Sequence, residues 1–300
     1  MRYPAVDVFL SPSDLQAGAS SLYHRFHWTP ASEQRNAILR IYEPLQPYVL
    51  VSLAEKLDCH VFIDVGANIG AYSLFLSTVP SIRTIHAFEP SPASFRQLNS
   101  NLELNRLGTR AKGHQQAVTA APATLTFGVA NALSGTNSVV STSIHEAESF
   151  EQQIEVEGVK LDDVLSLRDE RICLKIDVEG HERDALLGMR ETLSRNTAVV
   201  QIEHYPDGRD YMDLFDELGF TKLFQLGPDL YLTNAKLGGA ELIGIFENAS
   251  RLMIDDAKTA NRQTARVNVH VGRELNIQLE GSLARSAQKA RGAVRRIFKI

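Results

Sequence analysis

From His60 onward, short β-branched runs alternate with stretches of helical periodicity, and that alternation admits few folds. VFIDVG (61–66), TIHAFE (84–89), HQQAV (114–118), ICLKIDV (172–178) and AVVQIEH (198–204) read as strands with amphipathic segments between them. Strands separated by helices pair in parallel, because each helix carries the chain back across the sheet. FTKLFQL (220–226) and DLYLTN (229–234) flank Gly227-Pro228 and read as an antiparallel hairpin. The expected fold is α/β, a doubly wound, seven-stranded, mostly parallel sheet.

The helices carry their own signals. Ser91 is placed as an N-cap with Pro92 in the first turn, followed by an apolar face of Phe95, Leu98 and Leu102. Further helices are expected over 182–193, near 209–218 with a stop at Gly219, and near 239–258. Regular alternation breaks at TLTFGV (124–129), a Ser/Asn/Gly-rich loop over 131–143, and QIEVEGVKL (153–161). These read as a β-rich insertion on the ligand-binding side. Residues 1–58, punctuated by five prolines, read as a helical N-terminal cap. Residues 59–235 form the core domain and 236–300 a C-terminal extension.

Charge is unevenly spread. Six basic residues and no acidic ones fall between Gly281 and Ile300, so the first 280 residues carry -11 of a chain total of -5. A nucleic-acid binder would show a basic excess, so none is expected as partner. From Leu283 the basic side chains oppose an arc of Leu283, Ala287, Ala290, Val294, Ile297 and Phe298. That segment reads as a terminal helix with a solvated basic face. The competing reading is peripheral contact with an anionic membrane surface, the inner one for a cytoplasmic chain. Two cysteines, Cys59 and Cys173, suit a reducing compartment, and the N-terminus lacks the apolar core of a signal peptide. The chain is expected to be cytoplasmic. Its oligomeric state is not legible.

Asp64-Val65-Gly66-Ala67-Asn68-Ile69-Gly70 stands at a strand end and opens a helix. Ligands of doubly wound sheets sit at carboxyl strand ends, and glycines there allow close backbone approach. Asn68 occupies a position where a dinucleotide fingerprint needs glycine, so a nicotinamide oxidoreductase is disfavoured. Glu89 closes the next strand, 19 residues after Gly70, as an acceptor for ribose hydroxyls. A nucleoside without a diphosphate is the inferred ligand.

DVGANIGAYS, FEPSPASFRQLNSNLELN, LDDVL and LKIDVEGHERDALLGM, in that order, resemble the motif series of the FkbM-type methyltransferases, from about Val61 to Glu203. The resemblance implies a Rossmann-like methyltransferase fold, S-adenosylmethionine as cofactor, and O-methylation of a small-molecule, sugar or polysaccharide-type hydroxyl. It implies that Asp64, Gly66, Asn68, Gly70 and Glu89 line the cofactor site.

The reaction site falls at the fourth and fifth strand tips, which carry Asp177, Glu179, Gly180, His181 and Glu182, then Glu203, His204 and Tyr205. Three readings stay open. Asp177, His181 or His204 acts as general base on the acceptor hydroxyl. Asp177, Glu203 and His204 hold a divalent metal, which the resemblance does not call for. Asp177 only neutralises Lys175 on the same strand face. Glu182 reads as a helix-start acid and Asp162 as a cap of the turn that follows it. N-methylation of a small molecule, or nucleoside binding without catalysis, are the alternative functions. The Asp/Asn-Pro-Pro-aromatic stretch of base-directed N-methyltransferases is missing from IDVEGHE.

Overall fold

The computed structural model describes residues 43, 45–130, 134–146, 149–204 and 211–256, and the backbone of 17–19 and 25–27. The first elements are an antiparallel ribbon, β1 (Ala17–Ala19) with β2 (Arg25–His27), and helix α1 (Gln46–Lys56).

The core follows as β3 (Val61–Val65), α2 (Ala71–Leu76), β4 (Thr84–Phe88), α3 (Pro92–Leu104) and β5 (Ala111–His114). After the insertion come α4 (Leu161–Val164), β10 (Arg171–Ile176), α5 (Glu182–Leu187), α6 (Arg190–Arg195) and β11 (Thr197–Glu203). Helix α7 (Met212–Glu217), β12 (Thr221–Leu226), β13 (Asp229–Thr233) and a helix α8 over 239–256 complete it.

One sheet of seven strands runs β12-β13-β11-β10-β3-β4-β5, and β13 alone runs against the direction of the other six. The doubly wound α/β expectation holds. The chain starts mid-sheet at β3, winds outward to β5, then returns to β10 on the other side of β3. The switch point therefore opens at the carboxyl ends of β3 and β10, where such folds take ligands. β3 is buried throughout, as a central parallel strand covered on both faces must be.

The insertion is a separate four-stranded sheet, β6-β9-β7-β8, made of β6 (Ala117–Val118), β7 (Ala123–Val129), β8 (Ser138–Val139) and β9 (Gln152–Val159). The single strand expected over 114–118 is thus two pieces. β5 ends at His114, and the polar pair Gln115-Gln116 turns the chain into the second sheet.

The helix expected over 182–193 is broken too. Gly188 lies between α5 and α6, and a Cβ there would stand 2.1 Å from the Thr119 carbonyl oxygen, so two backbones meet where a continuous helix would not fit. Asp162 serves this break from a distance. Its carboxylate accepts the N–H groups of Glu191 and Thr192 at 3.0 and 2.8 Å, capping α6 rather than its own turn. Ser91 caps α3 as expected, its hydroxyl accepting the Ser94 N–H at 3.4 Å.

Helix α8 packs Ile245, Ala249 and Leu252 into the same apolar cluster as Tyr48, Val49 and Leu53 of α1. Tyr48 adds a hydrogen bond to Asp256, and Asn248 donates to both Ser52 and Glu55 at 3.0 Å. No helix among the described residues is long and apolar enough to cross a membrane. The strand-like VNVHV (267–271) and the basic terminal segment lie outside the described residues.

Candidate active site

A cleft of about 230 Å³ opens at the switch point between β3 and β10. Its floor is the turn Gly66 to Ile69, one wall carries Glu89 and Gln116, and the other carries Asp177, Glu179, His181 and Glu203. The loop after β7 supplies Ser134, Gly135, Thr136 and Asn137, so the insertion reaches the cleft.

The turn is tightly determined. Gly66 has φ +81°, and a Cβ on it would lie 1.8 Å from the Asp177 carbonyl oxygen. The close approach that glycine permits lets the Asp177 N–H donate to the Val65 carbonyl at 3.0 Å, which fastens the β3 turn to the tip of β10. Asn68 also has positive φ, at 49°, and its side chain donates to the Ser134 carbonyl at 2.9 Å. The glycine turn and the insertion loop are joined through that amide.

Glu89 is 5% exposed and held at both oxygens. Oε1 accepts the Ser91 N–H and Oε2 the Asn68 N–H, each at 2.8 Å. Two backbone bonds, one on each oxygen, aim the group. Asp64 lines the cleft as well, and its Oδ2 accepts the Ser73 N–H at 3.0 Å and hydroxyl at 2.7 Å. Burial raises its pKa, against Lys175 and the Ser73 hydrogen bonds. Asp64 thus ties β3 to α2 beneath the turn. Gly70 begins that helix and does not itself line the cleft.

A polar row crosses the sheet at one level. Asp64 of β3 pairs in register with Lys175 of β10, Lys175 with Gln201 of β11, and Gln201 with Tyr231 of β13. Register partners project to the same face, so four polar side chains lie side by side in the core. Tyr72 of α2 covers them. Its hydroxyl accepts from Gln201 at 3.0 Å and donates to Glu43 at 2.5 Å, and its ring lies 4.5 Å from Lys175 Nζ. Lys175, 3% exposed, donates to Asp177 Oδ2 at 2.7 Å. Burial works against its charge, but Asp177, Glu43 and Asp64 more than offset that, and its pKa rises. The expected Lys175–Asp177 pairing is present. Glu43 and Gln201 carried no signal in sequence, because their partners are remote along the chain.

Asp229, 3% exposed, borders the same network, and burial with the nearby Glu43 pushes its carboxyl up to about 6. A raised carboxyl pKa means the native state holds the proton longer than the unfolded chain, so stability falls as pH rises from about 4 through about 6. At about 1.4 kcal/mol per unit, the cost above pH 7 is on the order of 3 kcal/mol. Asp229→Asn is therefore expected to raise the melting temperature at pH 7.5 and to change it little at pH 4. An equal shift at both values would remove the account.

At the strand tips, ligand atoms of Asp177, Glu179 and Glu203 lie within 4.8 Å of one another. The metal reading proposed His204 instead of Glu179, and the structure does not bring His204 to the cleft. Its ring meets Tyr211 edge-on at 5.6 Å, and its Nδ1 is buried with no partner among the described residues. The lysine ammonium on Asp177 already supplies countercharge to the carboxylate group. Glu182 has the helix-start role, accepting the Gly180 N–H at 3.1 Å.

His181 does line the cleft, 4% exposed. Its Nδ1 lies 2.8 Å from the Thr142 hydroxyl and 3.6 Å from Asp184. Burial lowers its pKa, partly opposed by Asp184. His145 reaches Glu179 at 3.1 Å, and the Ile144 N–H donates to the Glu179 carbonyl, so the insertion loop braces this wall at three points. Thr142 and His145 escaped sequence reading because a loop of small polar residues has no periodicity to expose them.

The model of the methyltransferase FkbM domain matches residues 64–222. The chain is 29% identical to the hexuronic acid methyltransferase AglP of Haloferax volcanii over 191 residues, 61% of this chain and 73% of that one. It is 30% identical to the 31-O-demethyl-FK506 methyltransferase FkbM of Streptomyces tacrolimicus over 195 residues, 56% and 75% of the two chains. Among solved structures, methyltransferase FkbM from Methylobacillus flagellatus KT aligns with a TM-score of 0.42 at 17% identity, over 59% of this chain and 43% of that one. The matched segment spans the Gly66 turn, Glu89 and both acidic strand tips, and the chain belongs to the FkbM methyltransferase family.

Proposed function

We propose that this methyltransferase takes its methyl group from S-adenosylmethionine and delivers it to a hydroxyl oxygen of a small-molecule or sugar-type acceptor. The observation that carries the reading is Glu89, pinned by two backbone N–H groups and facing the cleft opposite the acidic strand tips. An acceptor-only carboxylate aimed in this way fits a pair of ribose hydroxyls, and no diphosphate-binding glycine triad accompanies it. When bound, S-adenosylmethionine supplies a sulfonium-linked methyl group open to attack by oxygen.

The chain's own residues then hold and align the acceptor. Asp177 lines the cleft with its side chain 30% exposed and one oxygen fixed by Lys175. A carboxylate so oriented accepts the hydroxyl proton of an acceptor and sets the direction of its oxygen lone pair. Ser134 to Asn137 line the cleft beside the glycine turn. His204, away from the cleft, has no part in this arrangement.

Titration calorimetry with S-adenosylmethionine and NAD tests the cofactor. The wild type is expected to bind the first in the micromolar range and not the second. Glu89→Gln places an amide N–H against a backbone N–H, and affinity is expected to fall at least tenfold, about 1.4 kcal/mol. A folded protein that binds neither ligand, or a variant that binds as tightly as the wild type, would sink the reading.

A further inference from the structure

On the side of β3 away from Glu89, a chain of hydrogen bonds rises from the sheet to the cleft. It starts at Gln201 of β11, which is fully buried and donates from Nε2 to the Tyr72 hydroxyl at 3.0 Å. The hydroxyl donates in turn to Glu43 Oε2 at 2.5 Å. The direction of the chain is fixed. Burial, and after it the Glu43 charge, raises the Tyr72 pKa, so the phenol keeps its single proton. Gln201 is a donor to the phenol oxygen, which leaves that proton for Glu43.

Glu43 and Tyr72 both line the cleft. The Glu43 carboxylate is gripped at one oxygen, while Oε1 has no partner among the described residues. The grip gives the group an orientation without offsetting its charge, since a phenol is neutral. The ammonium of Lys175, beneath the Tyr72 ring, is bonded to Asp177 at 2.7 Å. A carboxylate held in this way on a ligand wall is met best by a charged donor, whose hydrogen bonds are roughly twice as strong as neutral ones.

Strand order says which part of a ligand arrives there. Glu89 stands past β4, whereas Tyr72 receives Gln201 from β11, and β3 and β10 lie between them. A ribose held by Glu89 is separated from Glu43 by the breadth of the glycine turn that floors the cleft, and an appended chain is needed to cross it. S-adenosylmethionine carries such a chain on its sulfur, ending in an ammonium and a carboxylate.

Resting on the reading of S-adenosylmethionine as methyl donor, we propose that Glu43 binds the α-ammonium group of its methionine moiety, with Tyr72 and Gln201 as positioning residues that orient the carboxylate. Glu43 precedes the segment 64–222 that the family model matches, so that match assigns it no role. The demethylated product keeps the same ammonium group and makes the same contact.

The test is a thermodynamic cycle by titration calorimetry on the full chain. Its ligands are S-adenosylhomocysteine, an analogue lacking only the amino group, and an analogue lacking only the carboxylate. Glu43→Gln keeps the size of the side chain and an oxygen for the Tyr72 proton, so it removes charge and little else. Loss of the amino group is expected to weaken binding to the wild type by about tenfold. S-adenosylhomocysteine and the decarboxylated analogue should each bind Glu43→Gln about fivefold or more weakly than the wild type, while the des-amino analogue binds both proteins equally. Tyr72→Phe, which keeps the charge and removes its grip, should show a smaller loss for the same two ligands. Equal affinity of Glu43→Gln and wild type for S-adenosylhomocysteine overturns the proposal. So does an equal loss for all three ligands, which would mean that Glu43 only shapes the cleft. A wild type that binds none of them ends the cofactor reading and this one together, whereas binding without the amino-specific loss ends this one alone.

Discussion

Gly66→Ala is expected to destabilise the fold by about 2–5 kcal/mol and to abolish ligand binding in whatever folded protein remains. Left-handed backbone costs a non-glycine residue about 1–2 kcal/mol, and a forced overlap in a packed interior typically adds about 1–3. Both apply here, since φ is +81° and the new Cβ would stand 1.8 Å from the Asp177 carbonyl oxygen. Neither partner is a flexible side-chain end. The only relief is to push the β3 turn away from the tip of β10, which separates the floor of the cleft from its acidic wall. Gly219 is the control: it has φ +72° but nothing within 4 Å, so Gly219→Ala should show the backbone cost alone. Urea denaturation of both variants measures the difference. Equal losses would mean that the contact at Gly66 relaxes freely and does not anchor the site.

Lys175→Met is expected to cost about 3–5 kcal/mol at pH 8, the usual penalty for stripping one partner from a buried ionic group. Asp177, Asp64 and Glu43 would all lose the charge that faces them. Protonation of Asp64, whose pKa burial already raises, is the cheapest response, so the deficit should shrink as pH falls toward 5. Asp177→Asn in the same chain should recover part of the loss by removing the nearest orphaned charge. Denaturation curves at pH 8 and pH 5 for the single and double variants decide it. A pH-independent loss would show that Lys175 acts by its packing against Tyr72, where it lies 4.5 Å from the ring centroid, and not by its charge.

These two residues mark the boundary of what a linear reading reaches. The glycine turn, Glu89 at the next strand end, and the acids closing β10 and β11 are all local patterns, fixed by strand–turn–helix grammar within a few residues. So was the parallel character of the sheet, since helices between the strands carry the chain back across it. The chain could thus be read as an α/β sheet with its ligands at one edge, and its motif series as resembling the FkbM-type methyltransferases.

Which acids meet the ligand, and which are spent on the protein, depended on partners far along the chain. Asp162 looked like a local cap, yet its acceptors' donors lie on α6, some thirty residues onward, brought near by the break at Gly188. His204 and His181 were equivalent as strand-tip histidines. The fold turns one against Tyr211 and sets the other in the cleft under Thr142 of the insertion. Glu43 entered the Lys175 network from a segment with no periodic signal at all. Sequence determined where chemistry-bearing residues gather, because backbone geometry repeats locally. Tertiary structure alone assigned their roles, because a buried charge takes its state from whatever neighbour packing places within a few ångströms, and sequence distance carries no record of that.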